Sequence, residues 1–183
     1  MTESDFFEGV LENQTNVQLL KRLQSIGLPD CYLTAGCLFQ SFWNVRSGKV
    51  SQWGIKDYDI FYFDNDTTWS AENDVIKTVS EMISDLGVNV EVRNQARVHL
   101  WYPNRFGRSY PQLKSACDGI DRYLISCTCI GINAATGDLY APNGFQDLEG
   151  GFLRMNPRNP QPDHFREKAQ SYRSRWPWLT VVE

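Results

Sequence analysis

Gly54-Ile55-Lys56-Asp57-Tyr58-Asp59-Ile60-Phe61-Tyr62-Phe63 runs from a polar turn into an apolar, strongly β-prone segment. Side chains two apart on a strand project from the same face, so Asp57 and Asp59 are expected to point into one small volume. Like charges held that close raise each other's pKa unless a cation neutralises them, and hard oxygen ligands suit Mg²⁺. The next strand-like segment, Val88 to Arg93, puts its valines on one face and Asn89, Glu91 and Arg93 on the other. Asp57, Asp59 and Glu91 are therefore candidate ligands for two divalent ions, Mg²⁺ or Mn²⁺. Taken alone, the two aspartates read better as a turn cap and an edge-strand charge, and Glu91 reads equally as a solvent-facing strand residue.

Upstream, Leu19, Leu20, Leu23 and Ile26 form an apolar stripe that predicts a helix over 16–26, with Asn16 able to cap its start and Gly27 and Pro29 stopping it. A short strand over 31–34 then meets Ala35-Gly36 and a helix over 37–45. Strand, small-residue turn and helix is an order that presents backbone N–H groups to a phosphate, so Gly36 and Cys37 are candidate nucleotide-binding positions.

Downstream, Val75, Ile76, Val79, Met82, Ile83 and Leu86 predict a helix from Ser70 to Leu86, capped by Gly87. Residues 94–102 fit either a capped helix or an alternating strand, and the helix is preferred. A short helix over 112–117, a strand over 125–132, a turn at 136–138, a strand over 139–141 and a helix over 163–173 complete the chain. Cys127 and Cys129 read as small buried hydrophobes of a strand, Asp147 as a helix cap, and Trp176 and Trp178 as anchors of the C-terminal segment. The expected architecture is one α/β (α+β) domain with a mixed sheet, an N-terminal helical segment over 1–29 and the main body over 30–183.

With 183 residues, 42% hydrophobic and 22% charged, the chain can bury a proper core. A net charge of −4 argues against binding long nucleic acid. The basic residues Arg154, Arg158, Arg166, Lys168, Arg173 and Arg175 are interspersed with Asp163 and Glu167 and read as a solvated face. Five cysteines without a CxxC pair, and two histidines far from them, speak against structural zinc. The acidic start, with no long apolar run after it, predicts neither a signal peptide nor a spanning helix, and a cytoplasmic location is expected.

Ala35-Gly36-Cys37, Asp57-Tyr58-Asp59-Ile60, the block Asn94-Gln95-Ala96-Arg97-Val98-His99-Leu100-Trp101, the segment Ala141 to Leu148 and Asn156-Pro157 resemble a bacterial nucleotidyltransferase-like family. That family is a branch of the DNA polymerase β-like nucleotidyltransferase superfamily, and the resemblance runs from about residue 30 to the C-terminus. It implies a nucleotidyltransferase-like mixed sheet with helices packed on it, and metal ligation by Asp57, Asp59 and Glu91. It further implies that the third carboxylate helps to deprotonate an attacking hydroxyl. The superfamily's usual Gly-Gly or Gly-Ser is Gly36-Cys37 in this chain, and the stretch from there to Asp57 is longer than usual.

Arg97 and His99 are candidates for contact with a triphosphate or acceptor, and Arg97 is equally a candidate partner for a buried carboxylate. The implied activity is transfer of a nucleotidyl group from a nucleoside triphosphate to a hydroxyl on a small molecule, a protein or an RNA end. Two other functions compete with it. One is a catalytically inactive nucleotide-binding or protein-interaction module, which Cys37 favours; the other is a metal-dependent nuclease, because Asp59 and Glu91-Val92-Arg93 faintly imitate an Asp…Glu-x-Lys core.

Overall fold

Two strands of opposite surroundings set the frame. A computed structural model describes residues 1–182. In β2 (Tyr58–Tyr62), Tyr58, Ile60 and Tyr62 are buried while Asp59 and Phe61 lie on the other face, as the period of two requires. Its neighbours are β1 (Tyr32–Thr34), antiparallel, and β3 (Val90–Asn94), parallel. With β4 (Gly131–Asn133) and β5 (Leu139–Tyr140) they make a five-stranded mixed sheet in the order β3-β2-β1-β4-β5. The strands around Leu33, Ile60 and Val90 therefore share one sheet, as expected.

A parallel pair needs a long crossover, and α4 (Trp69–Met82) supplies it between β2 and β3. It buries Val79 and packs the half-buried Val75, Ile76 and Met82 against the core. The helix stops four residues short of the expected Leu86: Ser84–Leu86 tightens into a 3₁₀ turn before Gly87 reverses the chain at φ 63°. Residues 95–106 resolve as helical, a 3₁₀ turn (Gln95–Arg97) running into α5 (Val98–Phe106).

Two helices open the chain. α1 (Glu3–Leu11) begins with a reciprocal capping box between Thr2 and Asp5. α2 (Gln14–Ile26) is capped by Asn13, whose side-chain oxygen accepts from Thr15 N at 3.0 Å, and ends at Gly27. Asn16 is not the cap: it is fully buried and donates to the carbonyls of Val10 and Cys37. Phe6, Val10, Leu19 and Leu23 join the same core cluster as the sheet, so residues 1–29 are packed into the body of the molecule. Next to them lies α3 (Gly36–Arg46).

The expected strand over 125–132 is interrupted. Thr128 donates its hydroxyl and its N–H back to Ile125 O, closing a 3₁₀ turn over Ser126–Thr128, and the strand starts at Gly131. Cys127 and Cys129 are buried but lie at that turn, outside any strand. The short helix falls at α6 (Ala116–Ile120), capped by Ser115, rather than over 112–117.

Asp147 lies in the first turn of α7 (Gln146–Gly150), whose cap is Phe145, and it pairs with Arg154 at 3.0 Å. A second sheet pairs β6 (Phe152–Arg154) with β7 (Thr180–Val182) in parallel, joined through α8 (Pro162–Arg175). Trp176 is fully buried and donates to Asn44 Oδ1 at 3.0 Å, and Trp178 donates to Ser47 Oγ at 3.0 Å, so both tryptophans anchor the C-terminal segment on α3. Among the described residues no helix is long and apolar enough to cross a membrane.

Candidate active site

At the end of β1 the chain turns sharply into α3. Ala35 holds φ 63° and ψ −141°, a region that residues with a Cβ rarely adopt and that costs on the order of 1–3 kcal/mol. Gly36 follows because a Cβ there would sit 2.3 Å from Gln40 Nε2, which folds back over the turn. Gln40 Oε1 accepts in turn from Arg175 Nη1 of α8 at 2.8 Å. The strand-turn-helix geometry read from the sequence is thus held in place from a distant helix.

Ala35 and Gly36 line a cavity of about 280 Å³ together with Asp57 and Asp59. Asp57 directly precedes β2, and Asp59 lies within it; the alternation of the strand puts both carboxylates at the cavity. In register, Asp59 sits opposite Thr34 on β1 and Glu91 on β3. The position of Glu91 is therefore as expected, yet its carboxylate pairs with Arg93 Nη2 at 2.8 Å.

Burial, then the fields of Asp57 and Glu91, push the Asp59 carboxyl up to about 7, against the pull of Lys168 and Arg93. Asp59 thus feels the other two carboxylates on top of its burial, and Lys168 and Arg93 do not fully offset them. Among the described residues no three His, Cys, Asp or Glu side chains are gathered into a metal-holding cluster. The chemistry of the donors fits a hard divalent cation all the same. Asp57 and Asp59 offer oxygens to one cavity, and a cation would relieve the negative field that holds the Asp59 carboxyl high.

The remaining candidates separate. Cys37 is fully buried with its thiol donating to Thr34 O at 3.1 Å, so only its backbone belongs to the turn. Arg97 lines neither cavity that Asp59 borders and forms a buried pair with Glu72, whose side chain is 2% exposed. The reading of Arg97 as partner of a buried carboxylate is met by this pair. Glu72 Oε1 also accepts from Asn94 N at 2.9 Å, and Asn94 ties down the loop after β2 through Asp64 and Asp66. His99 is half-buried, its Nδ1 has no partner, and it lines neither cavity that Asp59 borders.

Residues from the second half of the chain complete the cavity. Tyr123, whose hydroxyl donates to Thr34 Oγ1 at 3.3 Å, and Lys168 and Tyr172 of α8 all line it. Burial and the Asp59 charge hold the Tyr123 hydroxyl well above its ordinary range. The sequence alone places Lys168 on a solvated basic face, whereas the structure sets it at the cavity. The i, i+4 spacing of Lys168 and Tyr172 puts them on one face of α8, but no local pattern tells which face meets a carboxylate more than a hundred residues earlier.

A strand-turn-helix set beside a carboxylate pair on the neighbouring strand of a mixed sheet defines a nucleotidyltransferase-type α/β fold. A family model described as "Nucleotidyltransferase" matches residues 21–181, and the chain belongs to that family. Among solved structures, an NMR structure described as revealing a CCA-adding enzyme head domain matches with a TM-score of 0.76 at 22% identity, covering 100% of this chain and 96% of that one. What the two share is the fold. No curated protein matches the chain.

Proposed function

We propose that the protein is a metal-dependent nucleotidyltransferase that moves a nucleotidyl group from a nucleoside triphosphate to an acceptor hydroxyl. The observation that carries this is the meeting of the Ala35-Gly36 turn with Asp57 and Asp59 at one cavity. Asp57 and Asp59, joined by Glu91 once it leaves Arg93, hold Mg²⁺ or Mn²⁺, two ions in the full assembly. Metal bound there would supply neutralisation of the charge that builds on attacking and leaving oxygens.

The chain's own groups orient the reaction. The α3 N-terminus and Lys168 receive the triphosphate, because N–H donors and a cation favour its negative charge. The acceptor oxygen attacks the α-phosphorus, the bond to the bridging oxygen breaks, and pyrophosphate leaves; the acceptor's proton passes to Glu91. The acceptor is a small molecule, a protein or an RNA end, and a net charge of −4 disfavours a long nucleic acid.

Incubation with α-labelled nucleoside triphosphates and Mg²⁺ tests the reading. Pyrophosphate release or label transfer is expected from the wild type, and loss of both from Asp57→Asn and Asp59→Asn with melting temperature unchanged or raised. Unaltered nucleotide affinity and turnover in both variants would remove the site. The inactive-module reading is favoured by the buried Cys37 in place of a hydroxyl residue and by the Glu91–Arg93 pair. It predicts nucleotide binding without turnover at any metal concentration.

A further inference from the structure

Asp59 and Tyr123 border a second cavity, of about 210 Å³, which opens toward β3 and α5. Its cations are arginines where the first cavity has Lys168, and Glu91 joins Asp59 in its lining. Phe61, Trp101, Tyr102 and Tyr110 supply aromatic faces, and Arg93 and Arg122 supply cations. Arg93 is engaged by Glu91 at 2.8 Å. Arg122 has no carboxylate partner among the described residues; its guanidinium lies 4.9 Å from the Tyr110 ring centre and its side chain is hydrogen-bonded with Tyr110, while its buried Nε has no acceptor. The cavity shares Arg93 and Trp101 with an outer cleft of about 420 Å³ that Trp69 also lines, with 60% of that residue exposed.

An unsatisfied buried donor on an always-charged guanidinium is costly unless an anion meets it. Aromatic faces beside it offer stacking to a flat ring. We propose that this second cavity is the acceptor subsite, and that it takes a nucleoside monophosphate, with the phosphate on Arg122 and the base against Trp101, since Tyr102 and Tyr110 already pack on each other at 4.4 Å. The inference rests on the transferase reading for the word acceptor, since it sets the ligand's sugar hydroxyl beside Asp59, which with Tyr123 borders both cavities. The subsite itself rests only on Arg122 and the aromatic walls. Arg122 is then a specificity residue that selects acceptors bearing a phosphate.

AMP, adenosine and inorganic phosphate, titrated into the metal-free full chain and followed by NMR or calorimetry, test it. AMP is expected to bind more tightly than either fragment. Arg122→Gln is expected to weaken AMP at least tenfold, about to the level of adenosine, while leaving adenosine itself unchanged; Arg122→Lys should fall between. Should Arg122→Gln unfold, the lysine variant carries the comparison, with AMP weakened more than adenosine as the expected result.

Several results would overturn the subsite: no AMP binding at millimolar concentration, AMP no tighter than adenosine, equal affinity in the variants, or displacement of AMP by Lys168→Ala. If AMP binds through Arg122 but no nucleoside triphosphate is bound or turned over in Mg²⁺, the subsite stands and the transferase reading falls. If triphosphate turnover is seen and AMP does not bind, the reverse holds.

Discussion

Burial and two neighbouring carboxylates hold the Asp59 carboxyl at about 7, whereas in the unfolded chain it titrates near 3.8. Because the folded value is the higher one, the folded state gains from the proton. That contribution is complete below the unfolded value and is lost as pH rises through about 7. In EDTA at pH 8, Asp59→Asn should therefore melt above the wild type, by on the order of 1–3 kcal/mol after allowance for solvent screening. The advantage should vanish near pH 4, and Mg²⁺ should raise the wild type alone. An equal difference at both pH values would contradict the electrostatic account.

Cys37→Ser, by contrast, replaces a thiol that already faces Thr34 O, so nucleotide affinity in a titration should stay within about twofold. The spacing of Asp57 and Asp59 was legible because a strand's period is local. The inward direction of Cys37 was not, since it depends on which side of α3 meets the sheet.

At the scale of elements, the Asn94 to Arg97 block is a brace between α4 and β3. Arg97→Ala would leave Glu72 charged and almost fully buried, and loss of one partner of such a pair costs about 3–5 kcal/mol. Denaturant titration should show that loss, and the double change Glu72→Leu with Arg97→Met should recover most of it. α4 could be read from its apolar positions Val75, Ile76, Val79 and Met82 alone. α1 carries a local signal in the sequence: Thr2 stands three residues before Asp5, close to a capping box, ahead of Phe6 and Val10. The break at Ser126–Thr128 had no such mark, because apolar residues on both sides of it suit a strand and only the bonds to Ile125 reveal the turn.

For the molecule as a whole, α1 and α2 contribute Phe6, Val10, Leu19 and Leu23 to the core that also holds Ile60 and Trp43. A single transition is expected in calorimetry, with matching calorimetric and van't Hoff enthalpies. Leu19→Ala should lower it by about 2–5 kcal/mol, and the near-ultraviolet signal of Trp43 and Trp176 should shift in step. A separate early transition for residues 1–29 would contradict one shared core. The general plan of sheet and crossover was legible because hydrophobic periods mark it. The union of the carboxylates with Tyr123 and Lys168 was not, because it is made by pairing between distant parts of the chain.

The parallel pairing of Phe152, Leu153 and Arg154 with Thr180, Val181 and Val182 brings together the chain just before α8 and the chain just after it. That helix is consequently a buckled strap, fastened at both ends to itself. It has no free end about which to swing, so Lys168 and Tyr172 meet an incoming ligand as a fixed wall. A pull on the last residues would load the hydrogen bonds between β6 and β7 in shear, as on a lap joint, before any tension reached the cavity.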